Sequence, residues 1–168
     1  MSKLWEHPPL SCKIVLQTHV LLTKKVHLKI KSKVITTKNQ NEIGGFLLGY
    51  KFLNFFFVTE ITVTNDTEST SVSFVLNGKK HIGQAKRLVK GKFLKPFIIG
   101  AWHSHICDIR KFSIQDKIAN SLLASQIGEI ISVIVTHNQN GIYCYTGCYV
   151  KNDMLEHCCS TKIIGGLT

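Results

Sequence analysis

Apolar positions along the chain follow two rhythms, one of period two and one near the helical period. Cys12-Lys-Ile-Val-Leu16 reads as a first strand, and from about Thr18 the residues Leu22, Val26 and Ile30 recur at the spacing of one helix face, which predicts a helix. Lys31 to Asn41 is mostly polar and reads as a loop or frayed helix end. Glu42-Ile-Gly-Gly-Phe-Leu-Leu-Gly49 begins a strand, and Phe55 to Val63, rich in β-branched and aromatic residues, predicts its partner. Asn65 to Glu68 signals a turn, Ser71 to Leu76 alternates like a strand with one wet face, and Asn77-Gly78 closes it. From Lys79 to Lys90, Ile82, Ala85, Leu88 and Val89 share one side of a helix, opposite Arg87 and the lysines. Pro96 to Trp102 reads as a buried strand that runs directly into His103-Ser104-His105. Ser113-Ile-Gln-Asp116 opens a helix through Ile118, Leu122 and Leu123, and two strands follow at Ile130 to Val135 and Ile142 to Val150. Helices and strands mix without a regular βαβ repeat, so the expected class is α+β.

The 168 residues are expected to form one domain spanning 1–168, with 152–168 as a possible C-terminal tail. With 44% hydrophobic residues the chain needs no metal or disulfide merely to fold, so a metal would be there for chemistry. A mean hydropathy of +0.10 with only 18% charged residues excludes a largely disordered chain. No apolar run approaches the roughly 18 residues of a membrane span, and the start lacks the features of a signal peptide. The expected location is the cytoplasm, where the six cysteines are expected to be reduced thiols. Lys and Arg number 21 against 10 acidic residues, a formal +11 that draws in acidic partners of any kind.

His103 and His105 lie two apart on a predicted strand, so both imidazoles can point to one place, as metal ligands do. Asp116, in the first turn of the following helix, is the best third ligand. Each half has a plain structural reading as well. A His-x-His can be two half-buried polar side chains, and Ser-x-x-Asp before an apolar run is a capping-box-like signature. The combination His103-Ser-His105-x7-Ser113-x2-Asp116 is far more specific than either half.

That combination resembles the JAMM metalloproteases of the MPN-domain superfamily, and Glu42 in its Gly-rich strand entry matches the family's upstream glutamate in type and distance. The match spans residues 42 to 116. The resemblance implies a single MPN-like domain, a mixed curved sheet flanked by helices, with one catalytic zinc ion held by His103, His105 and Asp116. It implies Glu42 as general base and Ser113 as transition-state stabiliser. The implied activity is zinc-dependent isopeptidase or peptidase cleavage after the C-terminal glycine of ubiquitin or a ubiquitin-like modifier. Its conjugates would be the partners, and a bacterial antiphage conjugation system a possible setting. The alternative is a catalytically silent MPN scaffold in a larger assembly, though such members usually lose a ligand or the glutamate. Here Ile106 and Phe112 stand where many members have prolines.

Physical logic supports these roles independently. Zinc lowers the pKa of a bound water to about 7 and polarises a carbonyl, and a carboxylate beside that water can shuttle its proton. Gly44 and Gly45 after Glu42 would let backbone and substrate approach closely. Glu60, on a neighbouring strand, is the nearest alternative carboxylate and is expected to be dispensable for turnover, while Trp102 and the loop after His105 are expected to narrow the groove at the metal. The basic stretch Lys79 to Lys95 reads by default as a solvated helix face, and otherwise as a docking site for an acidic protein rather than nucleic acid, for which there is no motif. Cys144, Cys148, His157, Cys158 and Cys159 match no common zinc module, Cys107 is a bystander to the site, and His19, His27, His81 and His137 lack a partner at ligand spacing.

Overall fold

Alternation and helical periodicity build a seven-stranded mixed sheet with three helices in the computed structural model, which describes residues 18–36, 41–63, 78–105, 109, 111–138, 141–149 and 160–164. In chain order these are β1 (His19–Thr23), α1 (Lys24–Thr36), β2 (Gly44–Phe52), β3 (Phe55–Ile61) and α2 (Gly78–Val89). There follow β4 (Phe97–His105), α3 (Ile114–Ile127), β5 (Ile130–Asn138), β6 (Gly141–Tyr149) and β7 (Ser160–Ile164). The strand order is β6-β5-β4-β2-β3-β1-β7. Pairs β1–β3, β1–β7 and β4–β5 are parallel; β2–β3, β2–β4 and β5–β6 are antiparallel. The class is α+β, as the irregular mix of elements predicts.

The two sheet faces follow from strand parity. Ile131, Val133 and Val135 of β5 and Trp102 of β4 join Val26, Ile30 and Val34 of α1 in one apolar cluster, whereas Ile130 packs with Ala124 and Leu123 of α3. Consecutive strand residues point to opposite faces, so α1 and α3 cover opposite sides of β5. Registration carries the same parity to β4: Trp102 pairs with Val133 and shares the α1 face, while His103 pairs with Ile134 and turns to the α3 face.

Three expectations change in detail. The predicted helix from Thr18 begins only at Lys24, because His19–Thr23 is a strand held between β3 and β7. Leu22, Val26 and Ile30 fit both periods, since four residues are two strand repeats and about one helical turn. The local marker of the junction is Thr23, whose hydroxyl accepts from Val26 N at 3.3 Å as a helix cap does. Of the stretch expected as a loop or frayed helix end, Lys31 to Thr36 continues α1. On α2 the buried residues are His81 and Ala85 while Ile82 is exposed, so the inward face is rotated by about one residue from the apolar count. His81 is fully buried, with Nδ1 2.8 Å from Thr62 Oγ1 and its ring edge-on to Phe46. Within the proposed tail, Ser160–Ile164 is β7, paired in parallel with β1. The expected strands at Cys12–Leu16 and Ser71–Leu76, and Ile106, Cys107, His157, Cys158 and Cys159, lie outside the described residues. No described helix is long and apolar enough to cross a membrane.

Glu60 has a structural task. It is 5% exposed and accepts from Lys25 Nζ of α1 at 2.6 Å and from Lys92 Nζ, just after α2, at 2.8 Å. Burial pushes the carboxyl up, but the two ammonium partners outweigh it and hold its pKa below the usual value. A depressed folded-state pKa means stability that is present above the unfolded-state value and is lost as pH falls through the folded one. Urea titrations should therefore show stability falling below about pH 4. Glu60→Gln should lower stability at pH 7 by about 1–3 kcal/mol and flatten this acid limb, the exposure of both lysines keeping the loss modest.

Candidate metal centre

The central pairing of β2 with β4 brings distant parts of the sequence together. Gly44 pairs with His103 and Gly45 with Trp102, and beyond the formal strand end Ser104 N donates to Ile43 O at 2.7 Å. Continuing this antiparallel register by one residue sets Glu42 opposite His105, on the α3 face. Ser104 locks the pairing from the other side, its Oγ accepting from Ile43 N at 3.0 Å. A Cβ on Gly44 would lie 2.3 Å from Trp102 O and 2.9 Å from His103 Cα, so the strands can approach this closely only with glycine there. Gly45 likewise makes room for Thr62, whose carbonyl would lie 2.2 Å from an added Cβ. What the two glycines accommodate is the protein's own backbone.

His103 and His105 project toward α3. Their Nε2 atoms are 2.9 Å apart, and Asp116 completes the group, with Oδ1 3.3 Å from His103 Nε2 and Oδ2 3.7 Å from His105 Nε2. Each residue offers one ligand atom, all within 4.8 Å of one another, so the three could hold a metal ion. Nitrogen and oxygen ligands on a tetrahedral ion with bonds of about 2.0–2.1 Å would be separated by about 3.3–3.4 Å, close to the middle of these spacings. His105 is already set for ligation. Its Nδ1 lies 2.8 Å from Ile109 O, a carbonyl that can only accept, so Nδ1 carries a proton, and in the neutral ring Nε2 holds the lone pair that a metal would take.

Asp116 is held by its own helix. Ser113 is the N-cap of α3 in a reciprocal capping box: Ser113 Oγ accepts from Asp116 N at 3.1 Å, and Ser113 N donates to Asp116 Oδ2 at 2.7 Å. Ser113 Oγ also donates to Asp116 Oδ2 at 2.7 Å, so the serine orients the carboxylate as well as starting the helix. Phe112 is buried and anchors the entry to this turn. With Asp116 fixed inward, the residues one and two turns on, Asn120 and Ala124, also face inward. Ile118 and Leu122 are exposed.

The electrostatics match the geometry. Burial pushes Asp116 up, but bonding to His103, His105 and Ser113 outweighs it and holds the carboxyl far below the usual range. Burial pulls His105 down, and Asp116 and the Ile109 carbonyl more than offset this, leaving it raised. Glu42, 6% exposed, is pushed up to about 7, chiefly by burial, with His105 opposing and Asp116 reinforcing the shift.

The expected ligands and Glu42 thus converge, with Ser113 beside them. Trp102 is fully buried, its indole Nε1 donating to Thr62 O at 3.0 Å, and it also contributes to the lining of the pocket at His103 and Asp116. A residue that sequence reasoning missed is Asn120, because an asparagine within a helix reads as surface. The available signal was its position one turn after Asp116. It helps line a cavity of about 70 Å³ with Ala101, Trp102, His103, Asp116, Ala119 and Leu123.

No family model matches the sequence, and no curated protein matches it. Among solved structures, the solution structure of protein DSY2949 from Desulfitobacterium hafniense is similar, with a TM-score of 0.65 at 18% identity, covering 86% of this chain and 94% of that one. The likeness is one of fold.

Equilibrium dialysis against divalent zinc should load about one ion per chain, and His103→Ala, His105→Ala and Asp116→Ala should each abolish loading while the metal-free protein stays folded. Full loading of the double histidine variant would place the centre elsewhere. Ser113→Ala should lower stability by about 1 kcal/mol through the lost cap and weaken metal binding by about 10-fold to 100-fold through the freed carboxylate.

Proposed function

We propose that the protein is a zinc-dependent isopeptidase of the JAMM type, which releases a ubiquitin-like modifier from a lysine amine or processes its C-terminal precursor. The observation that carries this reading is the convergence of His103, His105 and Asp116 with a buried carboxylate, Glu42, whose pKa stands at about 7. Two neutral-capable imidazoles and one carboxylate are a donor set that suits zinc and leaves a fourth position open. Zinc held there would supply a water activated near neutral pH and polarisation of the scissile carbonyl.

The chain's own residues have separable tasks. Glu42 accepts a proton and returns it to the leaving amine, and a carboxyl poised near 7 holds or gives up that proton with little driving force either way. Ile109, through its carbonyl, keeps the His105 proton on Nδ1. Ser113 holds Asp116 in place, and for its hydroxyl to serve a developing oxyanion, the proton it now gives Asp116 must turn toward the substrate. The formal charge of +11 favours acidic partners, and the lysine-rich surface of α2 and the segment to Lys95 is the proposed remote contact for a folded modifier. A cytoplasmic setting suits such a substrate.

Glu42→Gln should keep zinc and lose roughly 100-fold to 10,000-fold in turnover, because a base is removed and no ligand is. Loss of the metal in that variant would make Glu42 a ligand. The enzyme should cleave a folded modifier conjugate far faster than an unstructured peptide with the same scissile sequence, since positioning energy must come from contacts remote from the reacting bond. Equal rates on both would leave a general zinc peptidase, and no cleavage of any conjugate by zinc-loaded protein would favour a silent scaffold.

A further inference from the structure

The cavity behind the metal centre contains a polar group without a partner among the described residues. Asn120 is 5% exposed, and its Nδ2 has no hydrogen-bond partner among them. Burying an amide donor unpaired costs about 1–3 kcal/mol, and folded proteins rarely carry such a group without a use for it. It stands one turn after Asp116, on the helix face that looks onto β4. A second orphan lies nearby. Ser132 Oγ, on a residue 1% exposed, also lacks a partner among the described residues, and Ser132 pairs in register with Ala101, whose side chain shares its face of the sheet.

The surroundings restrict what could bind. Ala101, Trp102, Ala119 and Leu123 make the cavity walls largely apolar, and His103 and Asp116 make the wall shared with the metal centre. At about 70 Å³ the cavity has room for a small ligand group and is partly open to solvent. The Asp116 carboxylate opposes an anion, and an amide N–H donor requires an acceptor. A neutral group that meets these conditions is an amide carbonyl.

We propose that this cavity is a substrate subsite in which Asn120 Nδ2 donates to a main-chain carbonyl next to the scissile bond. The site itself rests on the cavity and its orphaned donor; the identity of the group as a peptide carbonyl rests on the peptidase reading. No bond is made or broken at Asn120, so it is a binding residue that sets specificity.

The test is a titration of ¹⁵N-labelled, metal-free protein with acetamide, read at the Asn120 side-chain amide signals. Acetamide should shift them saturably with a dissociation constant of about 1–50 mM, reasonable for four heavy atoms, and acetate should not. Asn120→Leu fills the same space without a donor, so it should keep the fold and the zinc content, weaken acetamide binding at least about tenfold, and raise KM for a conjugate by a similar factor with little change in kcat. Unmoved Asn120 signals, equal acetamide affinity in Asn120→Leu, or equal binding of acetate would overturn the subsite. The two readings fail separately. An enzyme that cleaves conjugates but shows no amide response loses only the subsite, whereas an amide response in a zinc-loaded protein without peptidase activity sustains the binding site and overturns the peptide assignment of its ligand.

Discussion

The close pairing of β2 with β4 at Gly44 is the contact on which the site depends. A Cβ at that position would lie 2.3 Å from the Trp102 carbonyl and displace the strand just where His103 leaves it. The pairing sets Glu42 across from His105, buries its carboxylate, and raises its pKa through that burial. It also fixes strand parity, so that Trp102 and Ser104 turn to the α1 core while His103 and His105 turn to α3. One steric allowance at a glycine thus determines both which groups meet and how acidic one of them is.

Rigidity on the other side comes from α3. Ser113 and Asp116 satisfy each other's backbone N–H groups, and the carboxylate that closes this box also faces the two histidines. Helix initiation and ligand orientation are therefore one interaction, and a disturbance of either reaches the other. The same constraint places Asn120 inward at the expense of Ile118 and Leu122, giving up apolar burial to bring polar groups to the sheet. A helix arranged for packing alone would have turned these aliphatic residues toward the core.

Elsewhere, buried polar residues hold the scaffold together. Thr62 accepts from Phe46 N and Trp102 Nε1 and meets His81, tying β2, β4 and α2. Glu60 joins α1 to the segment after α2 through Lys25 and Lys92. Two buried glutamates thus have opposite characters: Glu60, with two ammonium partners, is held as a stable anion, while burial outweighs the pull of His105 on Glu42 and pushes its pKa up to about 7. The difference in their surroundings separates structure from chemistry.

The sequence by itself determined what local rules govern. Strands at Gly44–Phe52, Phe55–Ile61 and Phe97–His105 were legible because apolar and β-branched residues there form runs bounded by turn residues, and the starts of α2 and α3 because capping and periodicity are local. The grouping of His103, His105 and Asp116 was legible because two lie on one strand and the third one short loop away, and Glu42 through its motif. The tertiary structure alone decided the rest. Whether Thr18–Thr23 is helix or strand turned on pairing with β3 and β7, which are remote in sequence, and the spacing of Leu22, Val26 and Ile30 satisfies both. Which way Trp102 faces, which side of α2 is buried, and that Asn120 points inward depend on strand registration and on the orientation Asp116 imposes on its helix. These are non-local constraints, and a local hydrophobic pattern does not contain them.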